Sequence, residues 1–270
     1  MPMRDGCVFC GGKPLTIEHV IPNWLGKILP TLGEGPTAGY ATGRVDLKTP
    51  DDVQFYVKRG RKTPFEARQP CEKCNTGWMH DLERQVTPWI TRMVKGQPVK
   101  MPDFAVRSVA AWSVKTTTFI RYADSPPAPT PDCRNKWLFR HKTPPSGSFV
   151  FLARYDGGGE PGGDWVRGEM VERSPSASVA ENEVHLTTIR LGYLACFVVE
   201  VFSGNEASLT IPEKWRPVLV ELWPSGEQGA ITWPPPRSLT LAGVRQLVRM
   251  FEPPPPPRDK KRTKHPKATK

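Results

Sequence analysis

The chain has 270 residues, 38% of them apolar, with 31 prolines and a formal charge of +11. Nine tryptophans and eleven phenylalanines are enough to build cores, which excludes a disordered chain in favour of a loop-rich globular one of one large or two small domains. No apolar stretch precedes the first cysteine, and the longest apolar run, Leu191 to Phe202, is broken by Glu200 and too short to span a bilayer. The expectation is a cytoplasmic protein without a membrane partner. In that reducing compartment, paired cysteines bind metal more often than they form disulfides.

The first such pair is Cys7-Val8-Phe9-Cys10, followed by Gly11-Gly12, which supplies a tight turn. Leu15 to Ile21 alternates as a short extended segment, so Glu18 and His19 point to opposite sides, and Pro22 ends it. The second pair, Cys71-Glu72-Lys73-Cys74, is followed directly by Asn75. Two residues between cysteines let both sulfurs reach one tetrahedral ion, so the two pairs together predict a four-thiolate structural zinc site. The acid-histidine pair between them is what a metal-dependent nuclease needs. A carboxylate holds a cation, and an imidazole, which titrates near neutral pH, activates water.

A helix is predicted from Asn75 to about Val86, with a second helix restarting at Thr87-Pro88. At 100° per residue from Asn75, the apolar residues Trp78, Met79, Leu82 and Val86 fall within about 60°. Glu83 falls at about 80°, on the edge of this face, and His80 at about 140°, turned away. Spacing therefore favours Glu83 over His80 for any cleft shared with Glu18 and His19.

Asp103 to about Tyr122 reads as a helix with one apolar side, and the proline-rich stretch from Ser125 to Pro131 as a linker or loop; Cys133, just after it, is read as a loop residue with no assigned role. Ser148–Tyr155, Leu186–Phe202 and Pro217–Trp223 read as strands, with Cys196 in the core. A last helix starts after Thr240 and ends near Phe251. Five prolines, Pro253–Pro257, then lead into residues 258–270, which carry a net +6 of the total charge. Such a tail can hold a phosphate backbone without reading sequence, or simply keep the chain soluble.

Cys-x-x-Cys, Glu-His-Val-Ile-Pro and Cys-x-x-Cys-Asn, with Gly77-Trp78-Met79 and Leu82-Glu83 after them, resemble the HNH endonuclease family over roughly residues 5–90. The resemblance implies a ββα-metal, zinc-stapled domain at 1–97; with the strand-rich α+β domain read from the sequence pattern at 98–251 and the basic tail at 252–270, the expected fold class is α+β. The resemblance also implies His19 as general base, Glu18 as ligand of a catalytic Mg2+ or Mn2+, and Asn75 bonded to the hairpin backbone. Cys7, Cys10, Cys71 and Cys74 would hold structural zinc. Two departures from the family pattern stand out. The last helix position, often His or Asn, is Glu83, an acceptable ligand for a hard cation. The long stretch between His19 and Cys71 implies an insertion near residues 33–64, which contains Lys58-Arg59-Gly60-Arg61-Lys62. The expected partner is nucleic acid, DNA in preference to RNA. The alternative is a non-catalytic zinc-knuckle protein that binds nucleic acid or another protein.

Overall fold

Alternation along two strands organises the fold. In β6 (Ser148–Arg154), Phe149, Phe151 and Ala153 join one buried cluster while Val150 and Leu152 join another. In β9 (Leu194–Phe202), Ala195, Phe197 and Val199 lie with the first set, and Leu194, Cys196 and Val198 with the second. A strand apolar at every position is what a sheet covered on both faces requires. The computed structural model describes residues 6–29, 39–45, 53–59, 66–123, 130–156, 163–172, 182–202, 209–224 and 229–250, with backbone alone for 39–45, 53–59, 163–172, 182–184, 241, 245 and 248–250. The Pro253–Pro257 run, the basic tail and Gly60 to Lys62 lie outside the described residues.

The described chain is a mixed α/β structure with antiparallel sheets. In chain order its elements begin with β1 (Glu18–His19), α1 (Asn23–Gly26), β2 (Gly39–Val45), β3 (Val53–Arg59), β4 (Glu66–Ala67), α2 (Glu72–Cys74) and α3 (His80–Val94). After these come β5 (Val99–Met101), α4 (Asp103–Ala123), α5 (Asp132–His141), β6, β7 (Gly163–Glu172), β8 (Asn182–Leu191), β9, β10 (Val220–Trp223), β11 (Ile231–Trp233) and α6 (Leu241–Met250). One five-stranded sheet has the order β10-β6-β9-β8-β7, and β1–β4, β2–β3 and β5–β11 form three two-stranded pairs. The β2–β3 hairpin falls within the segment expected as an insertion.

Helix α4 lies at the centre. It packs on α3 and β4 on one side and on β6, β9 and β10 on another. The expectation of a single apolar side is corrected: every residue from Val109 to Arg121 is buried. Three of its hydroxyls tolerate this because they bond carbonyls one turn back. Ser113 donates to Val109 O at 2.8 Å, Thr117 to Ser113 O and Thr118 to Val114 O, both at 3.0 Å. At its far end Arg121 pairs with Glu200 at 2.8 Å, both side chains fully buried, and Arg134 of α5 reaches the same carboxylate at 3.3 Å. These ions join α4, α5 and β9. The cluster around α4 runs from Cys7 through Val99 and Ile120 to Trp233, so residues on both sides of position 97 share one core. The opposite face of the sheet packs on Trp215, Leu219, Val244 and Leu247.

Three further sequence expectations are corrected. Helix α3 runs through Pro88 instead of restarting there; the proline is exposed, where water can serve the carbonyl it leaves unpaired, and Thr87 Oγ1 donates to Glu83 O at 2.6 Å. Cys133, expected in a loop, is exposed on helix α5 instead. The single strand expected at Leu186–Phe202 is the hairpin β8–β9, turned at Gly192-Tyr193 with Leu191 opposite Leu194. Gly192 has φ +55°, and a Cβ there would stand 2.5 Å from Val94 O. That closeness lets Tyr193 N donate to the same Val94 O at 3.1 Å, seating the hairpin tip on the end of α3. Gly192→Ala is expected to cost about 2–4 kcal/mol, from left-handed backbone strain plus overpacking. A urea midpoint equal to wild type would refute that account.

Candidate functional site

Two structures meet in the N-terminal third. The first is the cysteine cluster. A tight turn carries Cys7 and Cys10, with Gly11 N bonded to Cys7 O at 2.8 Å and Cys7 N to Gly12 O at 3.0 Å. Cys71 opposes Leu15 in an antiparallel bridge, and Cys74 ends α2. All four Sγ atoms lie within 4.8 Å of one another, and Cys10 and Cys71 approach to 3.4 Å. Zinc–sulfur bonds of about 2.3 Å imply tetrahedral S···S separations of about 3.8 Å, so the four are positioned for one metal ion, and zinc suits the donors. Gly12 N points at Cys10 Sγ, 3.4 Å away, and a Cβ on Gly12 would come within 3.2 Å of that sulfur. Burial pushes the Cys74 thiol up, with Cys10 and Cys7 adding; a divalent ion reverses this by binding thiolates. Phe9 packs edge-on to Trp78 at 5.0 Å and to Phe119 of α4 at 5.8 Å, tying the cluster to the central helix.

The second structure is the hairpin and helix beside it. β1 pairs with β4, with Glu18 opposite Ala67 and His19 opposite Glu66. Asn75 Nδ2 donates to Thr16 Oγ1 at 3.1 Å and to Ile17 O at 3.2 Å, fixing the backbone that leads into Glu18 and His19. Asn75 sits at a widened turn, Asn75–Met79, where Gly77 leaves helical geometry at φ −93°, ψ −113°. The straight helical wheel used for the sequence therefore does not hold through this turn, yet it separates the same two residues. Glu83 lies at the junction with Glu18, while His80 is exposed, and among the described contacts none joins His80 to Glu18 or His19.

The two side chains of β1 diverge. His19 Nε2 lies 3.5 Å from Glu66 Oε1, both about one-third exposed. Glu18 turns to α4, where Lys115 Nζ lies 3.0 Å from Glu18 Oε1 and 2.7 Å from Glu83 Oε1. Burial works against the Lys115 ammonium, but the two carboxylates outweigh it and hold its pKa above the ordinary lysine value. Burial also pushes Glu18 up, opposed by Lys115 and reinforced by Glu83. As donors, two partly exposed carboxylates fit a hard divalent cation. The ammonium between them already balances one of their two charges.

Sequence reasoning missed Glu66 and Lys115. The first had a signal: antiparallel pairing of Leu15 with Cys71, continued along the hairpin, brings His19 opposite the residues just before the second knuckle. The second had a weaker one, a lysine inside the stretch 109–120, otherwise apolar or hydroxylic, and such a lysine is rarely buried unless paired. A cavity of about 610 Å³ bordered by Phe151, Leu219 and Glu221 contains none of the residues above. Among the described residues no helix is long and apolar enough to cross a membrane. The chain matches no model of a protein family, no curated protein and no solved structure.

Proposed function

We propose that the chain is a zinc-stapled, metal-dependent endonuclease of the HNH type that hydrolyses phosphodiester bonds, of DNA in preference to RNA. The observation that carries this reading is the double hydrogen bond of Asn75 to the Thr16–Ile17 segment, which holds Glu18 and His19 beside a helix whose Glu83 converges on Glu18. His19 is the general base. Its Nε2 lies 3.5 Å from Glu66 Oε1, a carboxylate able to orient the ring as it takes the proton of the attacking water. Glu18 and Glu83 would hold the catalytic Mg2+ or Mn2+, and the ion would supply charge neutralisation at the leaving oxygen. Zinc at Cys7, Cys10, Cys71 and Cys74 stays outside the chemistry. The basic residues beyond 257 add sequence-independent affinity for the phosphate backbone.

The test is plasmid cleavage with added Mg2+ or Mn2+. His19→Ala is expected to lower the rate by at least about a hundredfold, the usual contribution of a positioned base, with zinc content and melting temperature unchanged. Cleavage at the wild-type rate by this variant would exclude the mechanism. One observation favours a second reading, a non-catalytic zinc-knuckle protein that binds nucleic acid or protein: Lys115 satisfies both carboxylates from within the chain. Wild-type protein that binds DNA yet cuts nothing with either ion would favour that reading.

A further inference from the structure

Lys115 reaches the candidate site from outside the motif-bearing segment. It stands in the middle of α4, 97 residues after Glu18 and 32 after Glu83. Its side chain is wholly buried, whereas Glu18 and Glu83 keep 12% and 19% of theirs exposed. Whatever solvent reaches of this cluster therefore belongs to the glutamates, and the ammonium backs them from the inside. A dehydrated ammonium is tolerated only where anions replace its water, and here two do.

We propose that Lys115 is the resident counter-cation of the Glu18–Glu83 pair and sets how tightly that pair takes a divalent ion. The inference rests on the pair being the divalent site of the nuclease reading. With Lys115 the cluster carries a formal −1; without it, −2. An incoming divalent ion meets a like charge already in contact with both of its ligands, in a partly buried place where charge interactions are stronger than in water. Lys115 is thus a positioning residue that limits metal affinity. Methionine matches its length and removes only the charge; arginine keeps the charge.

The experiment is a Mn2+ titration of the full-length, zinc-loaded protein, following free Mn2+ by electron paramagnetic resonance, for wild type, Lys115→Met and Lys115→Arg. Lys115→Met is expected to bind Mn2+ at least about tenfold more tightly. Lys115→Arg should stay near wild type, and Lys115→Met/Glu83→Gln should lose the gain. Added Mn2+ should also raise the melting temperature of Lys115→Met more than that of wild type. A Lys115→Met protein that binds Mn2+ no more tightly than wild type overturns the proposal. So does one that fails to fold even in saturating Mn2+, because an ion able to replace the ammonium must restore the fold. A tighter-binding variant of a protein that cuts no nucleic acid would sink the nuclease reading and leave the role of Lys115 standing. Metal-dependent cleavage with unchanged Mn2+ affinity would do the reverse.

Discussion

Stripping the metal from the four cysteines is expected to unfold the N-terminal hairpin and to scatter Glu18 and His19. Beside the sulfurs, the 61-residue interval between Cys10 and Cys71 is closed by a few backbone bonds, such as Thr16 N to Pro70 O at 2.7 Å, by the Asn75 amide and by Phe9 against Trp78. The β1–β4 pair is two residues long on each side and α2 spans three, too short to persist alone. Structural zinc in finger-like peptides contributes an apparent 10–16 kcal/mol or so near neutral pH, more than the whole stability of many domains. One zinc per chain should be released on chelation. Amides of residues 6–29 and 66–79 should then exchange with solvent deuterium far faster, and the near-ultraviolet signal from Trp78 should collapse. Cys74→Ser should move in the same direction. Metal-free protein with unchanged exchange and spectrum would show that the sulfurs play no structural part.

Lys115→Met, without added divalent ions, is expected to lose about 3–5 kcal/mol at neutral pH, the usual cost of leaving buried charge uncompensated. The loss should depend on pH with a definite sign. Glu18 has a folded pKa raised by burial, with Glu83 adding and Lys115 opposing. A carboxyl so raised holds its proton more tightly folded than unfolded. Its contribution to stability therefore falls as pH rises through the interval between the unfolded and folded values. Removing Lys115 removes the opposing influence and widens that interval. The deficit of the variant should be greatest at neutral pH and shrink as pH falls toward the ordinary carboxylate range. Lys115 itself, raised in the folded protein, contributes fully at neutral pH and loses its contribution only as alkaline pH passes its folded value. Urea midpoints at neutral and mildly acid pH would check both points. A deficit below about 1 kcal/mol that ignores pH would mean that the ion cluster behaves like an exposed pair.

Much of the N-terminal site was legible because its chemistry is local. Two identical cysteine spacings, a glycine pair after the first and an asparagine after the second determine the knuckles and the hairpin anchor. Glu83 was separable from His80 because eight residues and five residues land on different sides of a helix, even one widened at Gly77. The strands were legible as apolar runs, but their number was not. Leu186–Phe202 gives no polar break at its turn, and only Gly192, with its positive φ, marks the reversal. Helix α5 was hidden behind the prolines before it, and ends at Lys142 in a left-handed conformation that lysine does not advertise. Lys115 was beyond reach for a different reason. A contact between α4 and β1 depends on how the central helix is set against the hairpin, and no local pattern encodes that.

The hairpin tip on α3 has a mechanical consequence. The helix is tied at both ends: it follows the Cys71–Cys74 segment through the widened turn at Asn75–Met79, and Val94, its last residue, accepts a hydrogen bond from Tyr193. Glu83 rides on that helix near its entry. The tip of the β8–β9 hairpin and the helix that carries Glu83 thus share a point of attachment at Val94.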